Sequence, residues 1–132
     1  MVLLTKCILE PKSEQDGVRI SVMSRHTLND GITPHPDITK DSYDEWMPEL
    51  APEPRLVGDY YKRGLTWEEF EKAFRESLHE DSRIKIIKGI AIRAMSETIT
   101  LMCVEASPEN CHRRPLAEEC QIIEPKIELI IR

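Results

Sequence analysis

A chain of 132 residues, 40% hydrophobic and 32% charged, has the length of one domain and the composition of a folded chain rather than a disordered one. Its 24 acidic residues outweigh 18 basic ones for a formal net charge of −6, a balance that repels polyphosphate and argues against bulk nucleic-acid binding. The apolar runs are too short for a bilayer and the first residues lack the marks of a secretory signal, so no membrane partner and a cytoplasmic location are expected. Four cysteines are too few for a disulfide scaffold and are read as thiols in a reducing compartment.

Leu3 to Leu9 is an apolar run that Glu10-Pro11 ends, and it predicts a first strand. After a polar turn to Gly17, Val18, Ile20 and Val22 alternate with Arg19, Ser21 and Met23, which predicts a second strand beside the first. From Ser24 to about Gly64 the pattern dissolves. Prolines crowd between Pro34 and Pro54, and the stretch reads as a long irregular excursion, a binding loop or lid with one or two helical turns over Asp41–Trp46.

Thr66 with Glu69 three residues on forms a capping box, and Trp67, Phe70, Phe74 and Leu78 follow at helical spacing, predicting a helix over 67–80. Ile84, Ile87, Ile90, Ala91 and Ala94 predict a second helix to about Ser96, although Ile84–Ile87 also fits a strand. Thr98 to Val104 is β-branched and nearly all apolar, as a buried central strand is. A helix from about His112 to Gln121, with Pro115 in its first turn, and a last strand over 126–131 complete the order. Strand–helix–strand needs a crossover, so at least that pair is parallel. The expected architecture is a small α/β domain over 1–132 with a mostly parallel sheet flanked by helices. Ligands in such sheets bind beyond the carboxyl ends of the strands. The apolar last strand, Ile127–Ile131, could serve as an edge that pairs with a second copy in a homodimer.

Reactive side chains are densest in Cys103-Val-Glu105-Ala-Ser-Pro-Glu-Asn-Cys111-His112-Arg113-Arg114, where the central strand passes into the next helix. A thiol at a helix start beside cations is activated as thiolate, and the same surroundings attract phosphate, sulfate or carboxylate. Cys111 is the candidate nucleophile, with His112 or Glu105 moving protons and Cys103 either a resolving thiol or a packing residue. Arg113 and Arg114 would hold a small anionic partner. If the second strand runs parallel to the central one, Ser24, Arg25 and His26 emerge at the same sheet edge and add to that site.

A Cys103–Cys111 disulfide across the loop would be a redox switch. No C-x₂-C pair is present, and the side chains of adjacent Cys111 and His112 are expected to diverge on a helix, so neither a metal nor another cofactor is predicted. Cys7 and Cys120 read as packing residues. Two other classes stay open: a non-catalytic module for a nucleotide or nucleic-acid end, and a structural or partner-binding domain with packed cysteines.

The segments Gly17–Arg25, Tyr43-Asp-Glu-Trp46, Leu65–Phe74 and above all Ile99–Arg113, with its C-x-E, short loop and C-H-R, resemble the domain of unknown function 488 family, which includes the YeaO-like proteins. The resemblance covers most of the chain. It implies a compact α/β domain and a site around Cys103, Glu105, Cys111, His112 and Arg113, and it supplies no reaction.

Overall fold

The computed structural model describes residues 2–132. Its strands are β1 (Val2–Cys7), β2 (Val18–Ser21), β3 (Glu45–Trp46), β4 (Ile99–Cys103) and β5 (Glu128–Ile130). All pairings are parallel, in the order β3-β2-β4-β1-β5. The α/β architecture is therefore as the sequence predicts, but β1 and β2 are not neighbours, because β4 lies between them. Each residue of β4 is buried, and a strand with no polar face is stable only with partners on both edges and cover on both sides. The register sets Cys7 against Cys103 and Ser21 against Met102, so the three strands finish at one edge.

Four helices lie between the strands: α1 (Pro54–Lys62), α2 (Trp67–Ser77), α3 (Asp81–Ala94) and α4 (Arg113–Ile123). In α2 the predicted capping box is formed, with Thr66 Oγ1 accepting from the Glu69 amide and the Glu69 carboxylate accepting from the Thr66 amide, both at 3.2 Å. Residues 84–87 belong to a helix and not to a strand. The excursion is less irregular than expected, since α1 lies within it and starts with Pro54 at its first position, where a missing amide hydrogen costs nothing. The helical turns expected over Asp41–Trp46 reduce to a 3₁₀ turn at Lys40–Ser42 followed by β3. There the Asp44 amide donates to the Arg19 carbonyl and the Met47 amide to that of Ser21, so the open edge of β2 draws the chain into extended form.

Ile20, Val22, Ile99 and Leu101 pack in one apolar layer with Phe74, Ile90, Leu116 and their helical neighbours. The opposite face mixes apolar Leu4 and Met102 with buried polar groups. Lys6 and Asp16 form a buried ion pair at 2.9 Å, Thr100 donates to the Asp16 carbonyl at 2.6 Å, and Arg19 reaches Asp44 and the Asp41 carbonyl. Gly17 lets β2 begin against β4: its φ is +61°, and a Cβ there would lie 2.1 Å from the Thr98 oxygen. Among the described residues no helix is long and apolar enough to cross a membrane.

Candidate functional site

Beyond the carboxyl end of β4 the chain turns through residues 104–112 and enters α4. The two cysteines bounding this turn are drawn together, and Cys103 and Cys111 are joined as a disulfide with their Cα atoms 7.6 Å apart. Both are 2% exposed and pack with Ile8, Met23, Ile38 and Met102. Cys111 is therefore a buried, paired sulfur and not the exposed thiol that its polar neighbours in sequence suggest. Cys7 and Cys120 are free and buried, and burial pushes the Cys120 thiol up to about 12.

Arg113 is the largest fully buried side chain of the protein. Its Nη1 donates to the Glu105 carbonyl at 2.6 Å and to Cys103 Sγ at 3.2 Å, Nε donates to the Arg132 carbonyl at 3.1 Å, and Nη2 to that of Ala106 at 3.4 Å. Burial lowers its pKa from the usual arginine value. Among the described residues no Asp or Glu side chain pairs with this guanidinium, and its donors face main-chain oxygens, that of the last residue Arg132 among them, and sulfur rather than an open anion site. Arg114 turns the other way, into a network with Glu71, Glu109 and Glu118 between α2 and α4. Its charge is committed there, and the structure does not bring it to the cysteines.

His112 donates from Nε2 to the Val22 carbonyl at 2.8 Å, and its ring meets Phe74 edge-on at 5.7 Å. Burial pushes its pKa down to about 4, so near neutral pH the ring is uncharged and Nδ1 carries a lone pair. Two sulfurs and one His112 ring nitrogen lie within 4.8 Å of one another. The expected divergence of Cys111 and His112 does not occur because α4 begins only at Arg113, leaving both residues in the preceding turn. Glu105 extends outward, and its carboxylate accepts from the Tyr61 hydroxyl at 3.3 Å. Burial first, and then the Glu105 charge, raise that phenol to about 12.

The strands are parallel, so 24–26 does emerge at the same edge, but its three residues take different places. Ser24 and Arg25 are exposed, with Arg25 Nη1 on the Gly31 carbonyl at 3.3 Å. His26 turns back to Ser21 Oγ at 2.7 Å and lies between Tyr43 and Trp46, its pKa lowered by burial. Ser21 is a polar group of this edge that the sequence reading missed; it looked like one more polar position in an alternating strand. Residues 26–35 form a small hairpin. Beside it opens a cleft of about 460 Å³, whose lining includes Thr27, Asp30, His35 and Val104.

No curated protein and no solved structure matches the chain. One family model does match, over residues 3–121, and it is described as the active DUF488-N3 subclade. With that match running from β1 through the cysteine pair and most of α4, the chain belongs to the DUF488 family.

Proposed function

We propose that the chain is a small cysteine-dependent enzyme centred on Cys103 and Cys111, and that its reaction is thiol–disulfide exchange. The observation carrying this reading is the buried Arg113 guanidinium 3.2 Å from the Cys103 sulfur, with no Asp or Glu side chain paired to it among the described residues. A buried cation facing a sulfur stabilises negative charge on that sulfur when the Cys103–Cys111 bond opens. In this reading Cys103 is the leading thiolate and Cys111 the resolving partner, the reverse of the order that sequence favours.

The reduced pair reacts in two steps. Cys103 thiolate attacks one sulfur of a substrate disulfide, forming a mixed disulfide and expelling one substrate thiolate. Cys111 then loses its proton to solvent and attacks the Cys103 sulfur, expelling the second thiolate and restoring the internal bond. Two electrons pass from the protein to the substrate, whose two thiolates take up protons from water. The cleft lined by Val104, adjacent to Cys103 in the chain, is the approach assigned to the substrate.

A small anionic substrate remains part of the proposal. It is favoured by Arg25, exposed at the same sheet edge with a single hydrogen bond to a backbone carbonyl, and by Ser24 beside it. The subclade's description as active is in keeping with catalysis.

The test is turnover of low-molecular-weight disulfides, anionic and neutral, by the metal-free protein with a dithiol as reductant. Turnover abolished by Cys103→Ser, and slowed at least tenfold by Arg113→Gln in a folded variant, supports the reading. Absence of turnover in the fully reduced wild type overturns it. Equal rates for neutral and anionic substrates remove the anionic preference alone.

A further inference from the structure

Three donor groups of the kind that hold zinc converge at this edge: Cys103 Sγ, Cys111 Sγ and a ring nitrogen of His112, all within 4.8 Å of one another. Around a tetrahedral zinc, with Zn–S near ~2.3 Å and Zn–N near ~2.0 Å, neighbouring donor atoms stand ~3.5–3.8 Å apart. With the disulfide formed the two sulfurs stand closer than that, so a metal enters only after the bond is reduced. The backbone favours that separation in the reduced pair, since the Cα atoms of the cysteines are 7.6 Å apart, beyond the ~4.4–6.8 Å of most bridged pairs.

His112 supplies a second and independent sign. A metal-binding histidine characteristically donates its other ring N–H to a carbonyl or carboxylate, which fixes the tautomer and aims the free lone pair. The Nε2–H bond to the Val22 carbonyl, 2.8 Å long and reaching to the residue after β2, has that form. It leaves Nδ1 as the nitrogen open to a metal. The Arg113 N–H on Cys103 Sγ adds the hydrogen bond that metal thiolates commonly accept. Around both sulfurs lie Ile8, Met23, Ile38 and Met102, an apolar shell that excludes competing water.

We propose that the reduced chain binds one zinc-type divalent cation through Cys103 Sγ, Cys111 Sγ and His112 Nδ1, with a fourth position open to an exogenous ligand. The fourth ligand follows from the count of donors. Three protein groups converge, one short of a tetrahedral set, and water, hydroxide or a small thiolate is the kind of ligand that completes it. Three protein ligands with an open position make the pattern of reactive rather than purely structural zinc. Bonding between the two sulfurs consumes both ligands, so the disulfide and the metal exclude each other. The inference uses the same sulfurs as the exchange reaction but does not depend on that reaction.

The experiment titrates cobalt(II), as a spectroscopic substitute for zinc, into reduced protein freed of metal by a chelator and handled without oxygen. Tetrahedral d–d absorption and a thiolate-to-cobalt charge-transfer band saturating at one equivalent, and bleached by added zinc, support the site. Both features should vanish in Cys103→Ser and Cys111→Ser and in the oxidised wild type, while His112→Gln weakens cobalt binding at least tenfold. Cys7→Ser and Cys120→Ser should keep them. The wild-type titration and the His112→Gln titration, each with circular dichroism to verify folding, decide the matter even where a cysteine variant fails to fold. A reduced, folded wild type without the charge-transfer band overturns the site, as does undiminished binding in His112→Gln. A band shift on adding a small thiol or azide supports the open fourth position, and an unchanged spectrum overturns that part. Disulfide turnover measured on the same metal-free preparation separates the two proposals, because either can fail alone.

Discussion

Replacing Arg113 by methionine keeps most of the side-chain volume and removes the guanidinium fork. Three contacts dominate what is lost: Nη1 to the Glu105 carbonyl at 2.6 Å, Nε to the Arg132 carbonyl at 3.1 Å, and Nη1 to Cys103 Sγ at 3.2 Å. Hydrogen bonds from a charged donor contribute ~1.5–3 kcal/mol each, so the gross loss is roughly 5–9 kcal/mol. Against it stands the return of several kcal/mol that the folded state spends on keeping a cation out of water. The Glu105 and Ala106 residues are also exposed, so water can replace the arginine at their carbonyls. The expected net destabilisation is ~2–3 kcal/mol, which for a chain of this length lowers Tm by roughly 10 °C. Urea unfolding under reducing conditions, where no disulfide contributes, measures it directly. Arg113→Lys keeps the charge but not the fork, and should fall between methionine and wild type. A methionine variant within ~0.5 kcal/mol of wild type, or a lysine variant equal to it, would refute the claim that this fork ties the 105–106 loop to the sheet edge.

Gly17→Ala should destabilise by more than ~2 kcal/mol, because a positive φ alone costs ~1–2 kcal/mol and the new methyl collides with the Thr98 backbone; chemical denaturation reading an unchanged midpoint would contradict this. Ser21→Ala removes a fully buried hydroxyl from His26 and should cost ~1–2 kcal/mol by the same measurement, with release of His26 visible as a shift of its ring proton resonances. Glu45, hydrogen-bonded to Arg93, has its carboxyl pKa below the usual glutamate value. A lowered folded-state pKa means the unfolded chain binds the proton more readily in acid, so this stabilisation is full above pH ~4.5 and is lost as the pH falls through the folded value. At a half-exposed site it is worth less than ~1 kcal/mol, and an acid melting series of Arg93→Met with the same slope as wild type would remove the linkage.

Much of the fold was legible because single elements announce themselves. Ile99–Cys103 has no polar face, and Thr66 with Glu69 can do little but start a helix. What escaped was relational. Alternation over Val18–Val22 says that a strand exists but not which strand it joins, and the partner proved to lie about 80 residues away at Ile99–Met102. Pro54 was counted as a breaker where it is a starter, which hid α1. At the site, sequence identified the 103–113 cluster but not its internal geometry. Arg113 and Arg114 are indistinguishable as letters, yet one fills the interior and the other joins a surface network. Adjacent residues splay apart on a regular helix, but Cys111 and His112 stand one step before it, and a shift of a single residue in the helix start decides whether their donor atoms meet.

The central position of β4 also governs the order of assembly. Neither β1 nor β2 docks on the other, and the strand that joins them follows the end of β2 by nearly eighty residues. Until then β2 has only the two-residue β3 beside it, and the helices α2 and α3 lack the central strand of the sheet they cover. Loop closure over such separations is slow, so folding should be a single late condensation rather than a stepwise one. A nascent chain arrested before Ile99 would present two orphan strand edges to chaperones and neighbouring chains.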